Sequence, residues 1–204
     1  MSEQEDADSL GVVWLTGLPG AGKTTIAKRL MDLLVSAQRR VELLDGDAIR
    51  NVLPCGFSPQ DRDRHVRNVA FLASRLEHHG VTVVVALVSP YREARMFARS
   101  LCKRFFEVYL ATDLRECQRR DPKGLYAAAL AGQVRNVTGV DAPYEPPISP
   151  ELTLDTATVP VQAAVDLICR RLQAGALRDH GLGTGVNEVG FSYKVGVDDT
   201  GQLQ

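Results

Sequence analysis

Short runs of apolar, often β-branched residues alternate along this chain with longer stretches whose apolar positions recur every three or four residues. The short runs predict strands at Val12–Thr16, Val41–Leu44, Val81–Val88, Phe105–Leu110 and Leu152–Leu154. The longer stretches predict helices over Thr24–Ala37, Pro59–His79, Tyr91–Lys103, Leu114–Arg119 and Val161–Ala174. Strands that are apolar on both faces belong in a parallel sheet covered by its own crossover helices, so the predicted class is α/β.

Two segments break this alternation. Between Asp121 and Pro150 the chain carries Gly124, Gly132, Gly139 and five prolines with basic residues among them, too long for an ordinary connection, and it reads as a mobile cover. From Gly175 onward the sequence is polar and Gly-rich, with weak strand-like alternation only at Phe191–Val197, and it reads as a flexible tail. The expected organisation is a polar extension over 1–10, one domain over 11–174 with the cover at about 121–150, and the tail over 175–204.

Composition narrows the partners. With 24 Lys plus Arg against 25 Asp plus Glu, the net charge of −1 supplies no phosphate-neutralising excess, so nucleic acid is not expected as a partner. Cys55, Cys102, Cys117 and Cys169 form no Cys-x-x-Cys pair, and they read as reduced thiols of a cytoplasmic protein. The acidic start lacks an export signal, and the longest apolar run, Val83–Val88, is far below the roughly 20 residues of a bilayer span, so no membrane is expected either.

The strongest chemical signal is Gly17-Leu18-Pro19-Gly20-Ala21-Gly22-Lys23-Thr24-Thr25, which fits G-x-x-x-x-G-K-[ST] between a predicted strand and a predicted helix. Glycines let backbone N–H groups turn toward phosphate oxygens, the helix adds its positive end, and lysine reaches the β- and γ-phosphates. Thr24 is the expected Mg²⁺ ligand and ATP the expected nucleotide. No Asn-Lys-x-Asp guanine reader occurs, and 204 residues leave little room for a motor's coupling domains. The fold class becomes a parallel-sheet P-loop kinase with helices on both faces and a mobile lid that excludes water. A kinase of some other small alcohol or nucleoside, and a non-catalytic ATP sensor, remain alternatives at this point.

The acceptor side is expected at the carboxyl ends of the next strands. After the second strand stand Asp45 and Asp47, one suited to orient or deprotonate a hydroxyl and the other to hold Mg²⁺, unless Asp47 merely caps the residues after it. Arg50, Phe57, Arg62 and His65 follow as a candidate anion and purine pocket, while Arg64 and Arg67 suit a solvated helix face with Asp61 and Asp63. His78 and His79 read as a polar helix end before Gly80 rather than a metal site. The third strand ends in Ser89-Pro90-Tyr91-Arg92, where Ser89 either donates to substrate or caps a helix with Pro90 at its first position. Arg92, Arg95 and Arg99 share one helical face, part of it solvated.

Taken together, these residues resemble the adenylylsulfate kinase family. The resemblance runs from about Val12 to Asp155 and rests on six motifs in order: Gly17–Thr25, Leu44–Arg50, Gly56–Arg62, Ser89–Arg92, Arg120–Tyr126 and Thr138–Glu145. It implies MgATP-dependent phosphorylation of the 3′-hydroxyl of adenosine 5′-phosphosulfate in sulfate activation. Asp45, Lys23, Ser89 and Lys123 are then the catalytic set, with Arg120 as a further lid cation. Asp47, Arg50, Phe57, Arg62, His65, Pro90, Gly124 and Leu125 complete the acceptor site. A homodimer and functional association with ATP sulfurylase are also implied. Three positions depart from the family pattern: His65 replaces a usual asparagine, Asn68 a usual basic residue, and Val137 a lid phenylalanine that stacks on the acceptor's adenine. Losing one face of that aromatic clamp predicts a deficit of about 1–3 kcal/mol in base stacking.

Overall fold

A computed structural model describes residues 9–179 of the chain. Five strands, β1 (Val12–Gly17), β2 (Val41–Asp45), β3 (Thr82–Ala86), β4 (Phe105–Leu110) and β5 (Leu152–Leu154), form one sheet in the order β2-β3-β1-β4-β5. Every pairing is parallel, with Val13 beside Val84, Asp45 beside Ala86 and Gly17 beside Leu110. The helices are α1 (Lys23–Ser36), α2 (Gly46–Val52), α3 (Pro59–His78), α4 (Arg92–Leu101), α5 (Leu114–Arg120), α6 (Leu125–Leu130) and α7 (Val161–Asp179).

The two-residue period of the strands sorts the core into two layers. Val13, Leu15, Val84 and Val108 pack with Ile26 and Leu30 of α1 and Ala164 and Ile168 of α7. Val12, Trp14, Val83 and Val85 face the other way, against Val66 and Val69 of α3 and Ala94 and Ala98 of α4. The helix after β1 and the helix after the adjacent β3 therefore lie on opposite faces. Their diverging departures open a crevice at the carboxyl ends of β1 and β3, where ligands of open α/β sheets bind.

Several expectations shift at the boundaries. β3 stops at Ala86: Leu87 N–H still donates to Leu15 O of β1 at 3.2 Å, but the Val88 carbonyl that follows accepts from the Thr16 hydroxyl at 2.8 Å instead of a strand amide. α4 begins at Arg92, after Tyr91 at the cap, so Pro90 lies before the helix and Ser89 does not cap it. The cover contains a short helix, α6, whose Leu-Tyr-Ala-Ala-Ala-Leu run has high helical propensity. α7 continues to Asp179, past the expected start of the tail at Gly175. The alternation at Phe191–Val197 lies outside the described residues. No helix among them is long and apolar enough to cross a membrane.

α1 holds the sheet to α7 through Ile26, Ala27, Leu30 and Leu34, a stripe at the spacing of one helical face. Leu30 is fully buried there. Leu30→Ala should cost about 2–5 kcal/mol of unfolding free energy, read as a lower urea midpoint at unchanged slope. A midpoint equal to that of the unsubstituted chain would remove this layer from the core.

Candidate active site

Backbone geometry builds the phosphate cradle. Gly20 (φ 77°) and Gly22 (φ 91°) are left-handed, and Gly22 is the residue from which α1 starts. A Cβ on Gly20 would stand 2.8 Å from Cys117 O, so neither its conformation nor its neighbours admit a side chain. Lys23 bends back over the loop, its Nζ donating to Gly17 O at 2.9 Å and Leu18 O at 2.7 Å. Desolvation lowers its pKa to about 8, with the nearby Lys123 adding to the same direction. Tyr126 of α6 roofs the loop, its hydroxyl donating to Pro19 O at 2.9 Å. Arg120 lies beneath it, reaching Thr156 Oγ1 at 2.7 Å, Thr156 O at 2.9 Å and Glu116 at 2.8 Å.

The acidic corner meets this cradle directly. Thr24 Oγ1 donates to Asp45 Oδ2 at 2.7 Å, while Asp45 Oδ1 accepts from the amides of Asp47 at 3.0 Å and Ala48 at 3.3 Å. Asp45, not Asp47, is therefore the N-cap of α2. Asp47 stays two-thirds exposed and receives a hydrogen bond from Lys123, which reaches it from the cover across 76 positions of sequence. Thr24 and Asp45, with Asp47 two residues on, offer oxygen ligands beside the cradle, the hard-donor chemistry that suits Mg²⁺. Among the described residues there is no cluster of three or more His, Cys, Asp or Glu that could hold a metal ion.

The basic and aromatic residues divide in two. Arg50 lies over the Phe57 ring at 4.8 Å and donates to Cys55 O and Gly56 O, and Phe57 is more than half exposed beside it. Arg62 is nearly buried and spends its donors on Phe57 O, Asn136 O and Thr138 Oγ1, so it ties the far end of the cover to the Phe57 loop. Burial lowers its pKa. Arg64 pairs with Asp61 and Arg67 with Asp63, the helix-face arrangement their spacing predicts. His65 is 3% exposed, and its Nε2 has no hydrogen-bond partner. Its burial, then the Arg50 charge, push its pKa down to about 4, against a bond with the Gly46 backbone.

Three further residues are almost wholly buried. The Ser89 hydroxyl is 2% exposed and turned inward, accepting from Trp14 Nε1 at 3.1 Å and donating to Thr16 Oγ1 at 2.9 Å. It faces the sheet rather than the crevice. Arg95 is 3% exposed and paired with Glu107 at 2.8 Å, so the solvated part of its helix face is left to Arg92 and Arg99. Val137 is 3% exposed and belongs to the α1–α7 core layer, so it presents no stacking surface. Inspection of single positions missed Thr16, Tyr144 and Thr156, since a lone hydroxyl carries no sequence signal. A cavity of about 640 Å³ lies between Leu18, Thr112–Leu114 and Gly139–Tyr144, on the β4 side of the P-loop and away from Asp45.

The family described as adenylylsulphate kinase matches residues 10–155. The chain belongs to the adenylylsulfate kinase family. A probable adenylyl-sulfate kinase of Aeropyrum pernix is 46% identical over 169 residues, 80% of this chain and 92% of that protein. The solved Mycobacterium tuberculosis APS kinase, in complex with AMPPNP and APS, superposes with a TM-score of 0.76 at 37% identity, covering 79% of this chain and 96% of that one. A hexameric APS kinase from Thiobacillus denitrificans gives a TM-score of 0.60 at 32% identity over 81% of this chain and 29% of that one. Within an adenylylsulfate kinase fold, the convergence of Gly17–Thr25, Asp45, Asp47 and Lys123 is a local property of this chain's own contacts.

The buried His65 has a pH signature. Its folded pKa of about 4 lies below the ordinary value of 6.5, so the neutral ring favours the fold above pH 6.5 and that advantage is lost as pH falls toward 4. Between pH 7 and 4.5 the chain should lose on the order of 2–3 kcal/mol relative to a His65→Asn variant, measured by urea unfolding. Parallel stability curves for the two proteins would contradict this.

Proposed function

We propose that the chain transfers the γ-phosphoryl group of ATP to the 3′-hydroxyl of adenosine 5′-phosphosulfate, giving 3′-phosphoadenosine 5′-phosphosulfate. The observation that carries this reading is the 2.7 Å hydrogen bond from Thr24 to Asp45, which joins the phosphate cradle to the acceptor edge. The chain's place among adenylylsulfate kinases, and the AMPPNP and APS bound by its mycobacterial relative, support the two substrates.

In this reading the Gly17–Thr25 loop holds the triphosphate, and Lys23 exchanges the carbonyls of Gly17 and Leu18 for phosphate oxygens. Mg²⁺ would be held by Thr24 and Asp47, and it would neutralise charge on the transferred phosphoryl group. Asp45 accepts the proton of the attacking hydroxyl and orients it in line, using the lone pairs that its cap and Thr24 bonds leave free. Lys123 moves from Asp47 toward the spreading charge as phosphate enters. Arg50 and Phe57 receive the acceptor's anion and base, and the backbone at Ser89–Pro90 borders it. Arg62 acts on the acceptor indirectly, by holding residues 136–138 against the Phe57 loop. Gly124 and Leu125 belong to the hinge from which α6 rises.

The catalytic unit spans residues 11–174, and residues 121–150 act as a lid that closes to exclude water. Cytoplasmic residence, a homodimer and functional association with ATP sulfurylase complete the reading, on the strength of family membership and, for assembly, the hexameric relative.

Purified protein incubated with MgATP and adenosine 5′-phosphosulfate should yield a product one phosphate heavier on the ribose by mass spectrometry, with ADP released in equal amount. ADP without that product would overturn the reading. Asp45→Asn should lower turnover by about 10²-fold or more while ATP-analogue binding persists, because asparagine still caps α2 but is a far poorer proton acceptor. Turnover within about threefold of the unsubstituted enzyme would take Asp45 out of the mechanism.

A further inference from the structure

The acceptor edge at Ser89–Pro90 is strained and buried. Ser89 adopts φ 37°, a left-handed conformation that a residue with a side chain holds only when its surroundings over-determine it. Two sets of contacts do so. Arg95 Nη1 donates to Ser89 O at 2.6 Å, and the Ser89 hydroxyl is locked between Trp14 and Thr16.

The same groups grip the chain where it leaves the 121–150 segment. Arg95 Nη2 donates to Glu145 O at 2.6 Å, and its Nε donates to Glu107 at 2.8 Å. The Tyr144 hydroxyl shares a 2.9 Å hydrogen bond with Thr16 Oγ1, so Trp14, Ser89, Thr16 and Tyr144 form one chain of polar contacts. Glu145 N–H donates to Pro90 O at 2.8 Å, and Arg92 N–H donates to the Glu145 carboxylate at 2.8 Å. Arg95 is 3% exposed and Glu107 7% exposed, so this ion pair is largely desolvated and its loss is not made good by water. The nucleotide side has separate supports: Tyr126 on Pro19, and Arg120 on Thr156.

We infer that Arg95 and Tyr144 form a clamp that positions the Ser89–Pro90 backbone for the acceptor and anchors the far root of the lid to it. Arg95 is a positioning residue for acceptor binding, acting through the Ser89 and Glu145 carbonyls, and it leaves the ATP site alone. This rests on the phosphotransfer reading above. A guanidinium is required because three separate acceptors are met at fixed directions by one planar fork, which a lysine ammonium cannot span.

The test is steady-state kinetics on Arg95→Lys and Tyr144→Phe with adenosine 5′-phosphosulfate varied, beside the affinity for AMPPNP and the melting temperature. Both variants should raise the acceptor KM by roughly tenfold or more, as a displaced positioning element does, while AMPPNP affinity stays within about twofold. Tyr144→Phe keeps the ring and removes only the hydroxyl, so it decides the matter if Arg95→Lys does not fold. An acceptor KM within about twofold in a folded variant, or equal losses for acceptor and AMPPNP, would overturn the inference, since a merely structural role lowers the melting temperature without separating the substrates. Failure of the unsubstituted protein to phosphorylate the acceptor would instead count against the phosphotransfer reading.

Discussion

The hydrogen bond between Thr24 and Asp45 sits where two consequences of the parallel sheet meet. Parallel pairing places the carboxyl ends of β1, β2 and β3 on one edge, with Asp45 in register with Ala86 and Leu15 also beside Ala86. The first residues of α1 and the last residue of β2 then face each other across β3. Because Asp45 also caps α2 through two backbone amides, its carboxylate is held from two directions and cannot drift from the cradle. The P-loop and the acidic corner are brought together by sheet geometry, and the side chains refine a placement that the backbone already provides.

The 121–150 segment is fastened to this edge at separated points of very different exposure. Near its start, Lys123 reaches Asp47 where both side chains are about two-thirds exposed, so water competes with that contact, while the buried Tyr126 donates to Pro19 O three positions on. Near its end, Arg62 grips Asn136 and Thr138, and Arg95 grips Glu145, through donors that are almost wholly buried. Exposed fastenings exchange readily and buried ones do not.

The three departures from the family pattern have physical places in the fold. Val137 fills a core layer with Tyr126 and Leu154, so it presents no face for the base stacking that the family resemblance implies at this position. His65 replaces an amide with a ring that leaves one nitrogen unpartnered beside Arg50. Asn68 lies on the exposed side of α3, away from its buried residues Val66 and Val69.

Much of this was legible in the amino-acid order. Strand runs such as Val12–Thr16 are apolar at every position, and the glycine-lysine-threonine series after them needs only local backbone geometry, so both can be read from neighbours in sequence. The direction of a side chain at a strand end cannot. Ser89 looked like a group for substrate, yet Trp14 and Thr16, more than 70 positions earlier, turn its hydroxyl inward. Which of Arg92, Arg95 and Arg99 leaves solvent is equally non-local: Glu107 and the Glu145 carbonyl, brought beside Arg95 by β4 and the returning strap, allow that one to be buried. Local chemistry determined which residues can bind phosphate. Tertiary structure decided which charges are spent inside the protein, because the cost of burying a polar group depends on partners that only the folded chain supplies.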